Sequence, residues 1–118
     1  MGFARTTCSK EVEIAWIYLL TAGAFEIVWA TGLKKLGLGF SFTLGALIMF
    51  AMVVSFLALY AAMVRLPLGI AYPIWTGIGS VGSIVVSVMA FNQTLSMSSI
   101  SGVTLLVIGM LLIGADAH

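Results

Sequence analysis

Four long apolar stretches, separated by short polar breaks, dominate this sequence. A helix that crosses a bilayer needs about 20 mostly apolar residues at a rise of about 1.5 Å per residue. The breaks, KKLGLG, RLP and NQTLS, contain turn-forming residues. The pattern therefore predicts four transmembrane helices, from about Ile14 to Leu33, Phe40 to Val64, Leu68 to Phe91 and Met97 to Ala115.

Composition places the chain in lipid. Of its 118 residues, 62% are hydrophobic and only 8% are charged, whereas soluble domains carry about 25% charged residues. We predict an all-α membrane protein with one transmembrane domain, residues 14–115. A polar N-terminal tail (1–13), expected to be disordered or interfacial, and a C-terminal tail (116–118) flank it. A cleaved signal peptide is disfavoured, because the first stretch exceeds the usual ~7–15 apolar residues and contains a carboxylate.

The basic residues are almost equally divided between the two sides of the membrane. With four spans, Arg5, Lys10 and Arg65 share one side, and Lys34 and Lys35 lie on the other. Because an excess of Lys and Arg in short loops orients membrane proteins, this distribution leaves two interpretations open. Either the weak bias is sufficient to insert every copy in one orientation, or copies insert in both orientations and pair as an antiparallel dimer.

Glu26 lies in the middle of the first span. A charge at the centre of a helix in a membrane costs at least ~2.5 kcal/mol, and such residues usually serve a function. No basic residue lies at a matching depth in the other spans. Glu26 is therefore protonated or binds a cation from outside the chain, unless it is a structural carboxylate that is hydrogen-bonded to a neighbouring helix.

Several side chains could complete a binding site around Glu26. Trp29, one helical turn away, has an indole N–H and an aromatic face, and Tyr72 and Trp75 share one face of the third span, where aromatic rings attract cations. An aromatic belt with packing glycines is the alternative interpretation. Together with Glu26, Trp29, Tyr72 and Trp75 form a candidate cation-binding site, with Gly23 and Thr76 beside the pocket. Ser55, in the apolar second span, is a possible hydrogen-bond donor, although membrane serines often bond their own backbone.

The fourth span has a different predicted role. Gly102 and Gly109 are seven residues apart, about two helical turns, so both lie on one face, where small residues permit close helix packing. We expect this face to pack in a dimer. Nothing indicates an enzyme or a cofactor: there is no nucleophile–base pair and no metal-ligand cluster, and the single histidine, His118, is the last residue. A net charge of +1 gives no basic patch for nucleic acid.

The motifs AGAFEIVWATGLKKLGLGF, VVSFLAL and LPLGIAYPIWTGIGSVGS resemble the small multidrug resistance family of four-span transporters. The likeness covers nearly all of the chain after residue 13, and FEIVW and AYPIWTGIG are most similar to the guanidinium-exporter subtype. The resemblance implies an antiparallel dimer in the bacterial inner membrane that exchanges protons for guanidinium-type cations. It also implies that Glu26 binds proton and substrate in turn, that Ser55 and Trp29 orient it by hydrogen bonds, and that Tyr72 and Trp75 form the pocket wall.

The chain also departs from the family pattern. It has Pro73 inside AYPIW, FNQTLS in the third loop, LLIGADAH at the C-terminus and a longer leader. These departures leave open a broader quaternary-ammonium antiporter or one subunit of a heterodimeric pair. A non-transporting membrane subunit is a further alternative, although it does not explain Glu26 together with the aromatic residues.

Overall fold

The computed structural model describes the backbone of residues 2–116 and the side chains of residues 10–116. This part of the chain forms four helices and no strand, and each helix is long and apolar enough to cross a membrane, α1 through its part Lys10–Leu38. The predicted all-α fold with four transmembrane helices is therefore confirmed. The helices are α1 (Gly2–Leu38), α2 (Phe42–Arg65), α3 (Leu68–Ala90) and α4 (Met97–Ala115).

The first helix is longer than predicted. We expected residues 1–13 to form a disordered or interfacial tail. The helical backbone of α1 begins at Gly2, which contradicts disorder in residues 2–13 and does not test the interfacial alternative. Residues 3–13 contain no proline and no glycine, the two residues that most often interrupt a helix. A helix formed by the following span can therefore extend backwards, because adding residues to an existing helix is much easier than starting a new one.

The polar part of α1 is also attached to the end of α2. Arg65 donates from Nε to the Glu11 carboxylate at 3.0 Å and from Nη1 to the Ala61 carbonyl at 2.9 Å. Its guanidinium carbon lies 5.2 Å from the centre of the Tyr18 ring. This ion pair is partly exposed, so its contribution to stability is modest, about 0–1 kcal/mol. It nevertheless holds the turn of α1 that contains Glu11 beside the end of α2.

The loops and helix ends follow the turn chemistry of the sequence. The hydroxyls of Ser41 and Ser96 accept from the N–H groups of Leu44 and Ser99, and so cap the N-termini of α2 and α4. Asn92, with a φ of 55°, ends α3, and α3 continues through Pro73. Of the predicted C-terminal tail, Asp116 caps α4, and residues 117–118, like Met1, lie outside the described residues.

The packing is centred on α1, which contacts α2 most extensively and then α3, whereas the backbone of α4 approaches only α3. Paired contacts of Gly23 with Ile78 and of Ile27 with Gly82 show that α1 and α3 run parallel. The assembly is only 18 Å thick in its narrowest direction. None of the residues of α4 is buried, and large apolar side chains cover the outer surfaces, as expected for a chain surrounded by lipid or by another subunit.

We predict that Gly23→Ala destabilises the helical packing. An added Cβ would lie 2.8 Å from the Cβ of Ile78, which is too close for a carbon–carbon contact and cannot be relieved by a rotamer change alone. Overpacking of this kind typically costs about 1–3 kcal/mol. The thermal unfolding midpoint of the purified protein in detergent should fall.

Gly45→Ala is the matched control, because nothing lies within 4 Å of a Cβ at that position of α2. There the alanine should be neutral or slightly stabilising, since glycine in a helix costs about 0.5–1 kcal/mol relative to alanine. Equal midpoints for the two variants would contradict the close contact between α1 and α3.

Candidate functional site

Glu26 lies between α1 and α3, directly against Gly79. Its side chain is half-buried, and a Cβ built at Gly79 would overlap its carboxylate. Position 79 therefore has room for the carboxylate only because it is a glycine. Among the described side chains, no hydrogen-bond donor and no basic group contacts the Glu26 carboxylate; the ion pair in this part of the chain joins Glu11 and Arg65.

One turn before Glu26, the carbonyl of Ala22 connects three helices. The Ser55 hydroxyl of α2 donates to this carbonyl at 2.7 Å, and Trp75 Nε1 of α3 lies 3.3 Å from it and 3.2 Å from Ser55 Oγ. Ala22 and Ser55 are completely buried, and Trp75 is only 6% exposed. In the α-helical pattern the same carbonyl also accepts the N–H of Glu26, so this junction fixes the backbone that carries the carboxylate.

The structure assigns Ser55 and Trp29 different contacts from those implied by the resemblance. Ser55 donates to the Ala22 carbonyl rather than to Glu26. Trp29 Nε1 is buried and has no acceptor among the described residues. The contacts implied by the resemblance are those of an assembled transporter. In the single chain, the Ser55 hydroxyl donates to a backbone carbonyl instead, and the Trp29 indole N–H has no acceptor among the described residues.

The predicted aromatic residues form a continuous row, and the sequence analysis missed one member. Ring centres are separated by 6.3 Å between Trp29 and Phe56, by 5.8 Å between Phe56 and Trp75, and by 5.4 Å between Trp75 and Tyr72. Phe56 therefore connects Trp29 on α1 to the pair on α3. The sequence did carry a signal for Phe56: it lies directly after Ser55, on a span that otherwise contributes no predicted aromatic residue to the pocket.

The remaining predicted residues lie at the edges of this arrangement. Tyr72 is 48% exposed, and Gly79, which contacts Glu26, lies seven residues beyond it, about two helical turns along α3. The Thr76 hydroxyl donates to carbonyls of its own helix, those of Tyr72 and Pro73. Gly23 is buried against Ile78, so its role in the single chain is packing.

The glycines of the fourth helix are separate from the site. A Cβ added at Gly102 or Gly109 would meet nothing within 4 Å, so both positions lie on an open surface of α4. Within the described residues, no group of three or more His, Cys, Asp or Glu side chains could hold a metal ion.

Comparison with known proteins reveals clear relatives. The sequence model described as "Small Multidrug Resistance protein" matches residues 14–106. Proteins named "Guanidinium exporter" are 41% identical in Salmonella typhimurium, 38% identical in Citrobacter freundii and 37% identical in Escherichia coli K12. Each alignment extends over 106 residues, which is 89% of this chain and 100% of the relative.

These relatives confirm the resemblance seen in the sequence. The match begins at residue 14, so the polar first part of α1 lies outside the region that the family model covers. Four membrane-spanning helices together with bacterial relatives over nearly the whole chain identify a multi-pass protein of the bacterial cell membrane.

We predict that Ser55→Ala and Trp75→Phe each destabilise the chain, because each removes a hydrogen bond to the Ala22 junction. Hydrogen bonds between membrane helices contribute about 0.6 kcal/mol on average and up to about 1.7 kcal/mol. The two effects should not be additive, because both side chains share one acceptor and contact each other. Unfolding of the single and double variants in detergent measures this coupling.

Ser101→Ala is the control for Ser55→Ala, since the Ser101 hydroxyl is exposed and donates within its own helix to the Met97 carbonyl. It should leave stability unchanged within about 0.5 kcal/mol. If the double variant loses the full sum of the two single losses, the junction does not act as one unit.

Proposed function

Because the chain belongs to the small multidrug resistance family, we propose that it is a proton-coupled antiporter that exports small guanidinium-type cations. Glu26 binds a proton and the cation in turn. The observation that carries this proposal is the unpaired carboxylate itself, which is half-buried in a span and contacts no basic group within the described residues. A group of this kind needs an external positive ligand to remain in the membrane at low cost.

Competition for the Glu26 carboxylate explains how proton movement and cation movement are coupled. The carboxylate is neutralised either by a covalently bound proton or by an adjacent cation, and one site does not hold both at full strength. Arrival of a guanidinium ion therefore releases the proton, and arrival of a proton releases the guanidinium ion. Exposure of the site to the two sides of the membrane in alternation converts this competition into exchange.

The chemistry around Glu26 suits a guanidinium ion. Its planar N–H donors match the two oxygens of a carboxylate, and such pairs are often bidentate. The rings of Trp29, Phe56, Trp75 and Tyr72 provide π faces that attract a cation. The guanidinium exporters among the relatives support this substrate class; a broader quaternary-ammonium antiporter is the nearest alternative, because aromatic faces also bind quaternary ammonium ions.

We infer that the functional unit is a dimer of antiparallel chains, formed with an identical or a paralogous partner. The Trp29 indole N–H supports this inference. An unpaired buried donor costs about 1–3 kcal/mol, and because an indole N–H only donates, it needs an acceptor rather than a cation. The Glu26 carboxylate of a second copy would supply that acceptor, and the near-equal charge of the two sides permits both orientations.

The function is tested by proton release. Addition of guanidinium to purified, weakly buffered protein should release protons, which a pH dye detects. Glu26→Gln should abolish the release and coupled transport in liposomes, because it removes the titratable group while it retains size and polarity. Glu13→Gln, an exposed position before the first predicted span, should behave like the unsubstituted protein.

Several outcomes would contradict the proposal. Coupled transport that persists in Glu26→Gln would remove Glu26 from the mechanism. A protein that folds and dimerises but releases no protons with any cation would be a non-transporting subunit. Stronger proton release with quaternary ammonium ions than with guanidinium would favour the broader antiporter.

The dimer prediction concerns α4, which is the least buried helix. Gly109→Leu should weaken dimerisation at least about tenfold, a loss of ~1.4 kcal/mol, because a large side chain would separate the helices at the face that Gly102 and Gly109 share. Gly37→Leu, where a Cβ also meets nothing within 4 Å, is the control at the end of α1. Cross-linking over a range of protein-to-detergent ratios measures the dimer fraction of each variant. Equal dimer fractions for Gly109→Leu and Gly37→Leu would refute this role of α4.

A further inference from the structure

A small polar cleft separates the C-terminal halves of α1 and α3. Its volume is about 80 Å³, whereas one water molecule needs roughly 10–15 Å³ of such space, so the cleft can hold several waters. It differs from the other grooves of the helices, which are lined mainly by apolar side chains. The lining residues are Ala30, Thr31 and Lys34 on α1 and Ser83, Val86, Ser87 and Phe91 on α3.

Two hydroxyls of this cleft make no hydrogen bond to another described residue. The hydroxyls of Thr21, Ser101 and Thr104, by contrast, donate to a carbonyl one turn earlier in their own helix. Thr31 and Ser87 are partly buried, yet their hydroxyls donate to no partner among the described residues. Because polar groups in a membrane protein need a partner, water in the cleft is the natural one.

The inner end of the cleft leads towards Glu26. The helices α1 and α3 run parallel, with the Glu26 carboxylate against Gly79. One turn further along each helix lie Ala30 and Ser83, which both line the cleft. The Ser83 hydroxyl donates to the Gly79 carbonyl at 2.6 Å, so polar groups extend from the cleft to the residue that contacts the carboxylate.

The outer end is marked by Lys34, near the end of α1 and on the side of the loop that joins α3 to α4. A charged ammonium group is costly to remove from water, so water reaches the cleft at this end. The aromatic row lies on other sides of Glu26: Trp75 contacts Ala22, one turn before the carboxylate, and Trp29, one turn after it, packs against Phe56 of α2 rather than against α3.

We propose that this cleft is a water-filled path that carries protons between Glu26 and the membrane surface at Lys34, separate from the aromatic side that receives the cation. The proton leaves the Glu26 carboxyl group for a neighbouring water, which passes it along the chain of waters past Thr31 and Ser87 to the solvent. This proposal rests on the proposed proton-coupled function, but the presence of water in the cleft can be tested without transport.

The first experiment measures water access with single cysteines in a Cys8→Ser background. Ser83→Cys and Ser87→Cys should react with a small anionic methanethiosulfonate in liposomes. Val88→Cys, adjacent to position 87 but lining the apolar groove between α3 and α4, is the control. The reaction at position 87 should be at least about tenfold faster than at position 88, which corresponds to ~1.4 kcal/mol of activation free energy. Equal rates would show that the cleft is not a water path.

The second experiment measures the rate of proton release after rapid mixing with guanidinium. The double variant Thr31→Val, Ser87→Ala removes the two unpaired hydroxyls with little change in shape. It should slow release at least about tenfold while the total number of protons released stays the same. Thr21→Val combined with Ser101→Ala, at two exposed positions whose hydroxyls bond within their own helices, should leave the rate unchanged.

The two experiments separate the possible failures. If the unsubstituted protein releases no protons, the proposed function is wrong, and cysteine labelling still decides whether the cleft contains water. If protons are released but the Thr31→Val, Ser87→Ala variant releases them at the normal rate, the function stands and the path along α1 and α3 is wrong.

Discussion

The packing of α1 depends on accommodating one carboxylate at a closely packed contact with α3. Glu26 fits between α1 and α3 because Gly79 has no side chain there. The Ala22 carbonyl, one turn away, is held by Ser55 and Trp75 from the two neighbouring helices. The backbone before Glu26 is thus fixed by buried hydrogen bonds, while the carboxylate itself has no partner among the described residues. A rigid support beside a carboxyl group that has no partner among the described residues suits a site that exchanges ligands.

The surroundings of Glu26 differ in the two directions along α1. Towards the N-terminus lie the Ala22 junction and the aromatic ring of Trp75. Towards the C-terminus, Trp29 packs against Phe56 of α2, and the small polar cleft that ends at Lys34 lies on the side of α3. Such a division suits two ligands of different chemistry, since an organic cation gains from aromatic faces whereas a proton needs only a chain of hydrogen bonds. The open face of α4, with Gly102 and Gly109, remains available for another subunit.

The first helix begins before the region that the family model matches, residues 14–106. Its polar part is helical and is linked to the end of α2 by the ion pair between Glu11 and Arg65. The sequence analysis expected disorder or an interfacial tail there, because these residues are polar and carry mixed charge. Their helix follows instead from the absence of breakers and from growth out of a stable span, with a contact to a residue 54 positions away.

The sequence by itself determined the four spans, because about 20 apolar residues in a row have no other stable arrangement in a bilayer than a helix. It also singled out Glu26 as the candidate site residue, because a carboxylate in the middle of an apolar span is costly unless a proton or a partner neutralises it, and its place in the span is visible in the sequence. Only the tertiary structure decided which groups meet: Ser55 and Trp75 at the Ala22 carbonyl, Phe56 between the tryptophans, and Glu26 on Gly79. These contacts depend on the register and rotation of one helix against another. Many positions along an apolar helix are nearly equivalent in hydrophobicity, so the sequence pattern does not select among them, whereas the close packing of small residues does.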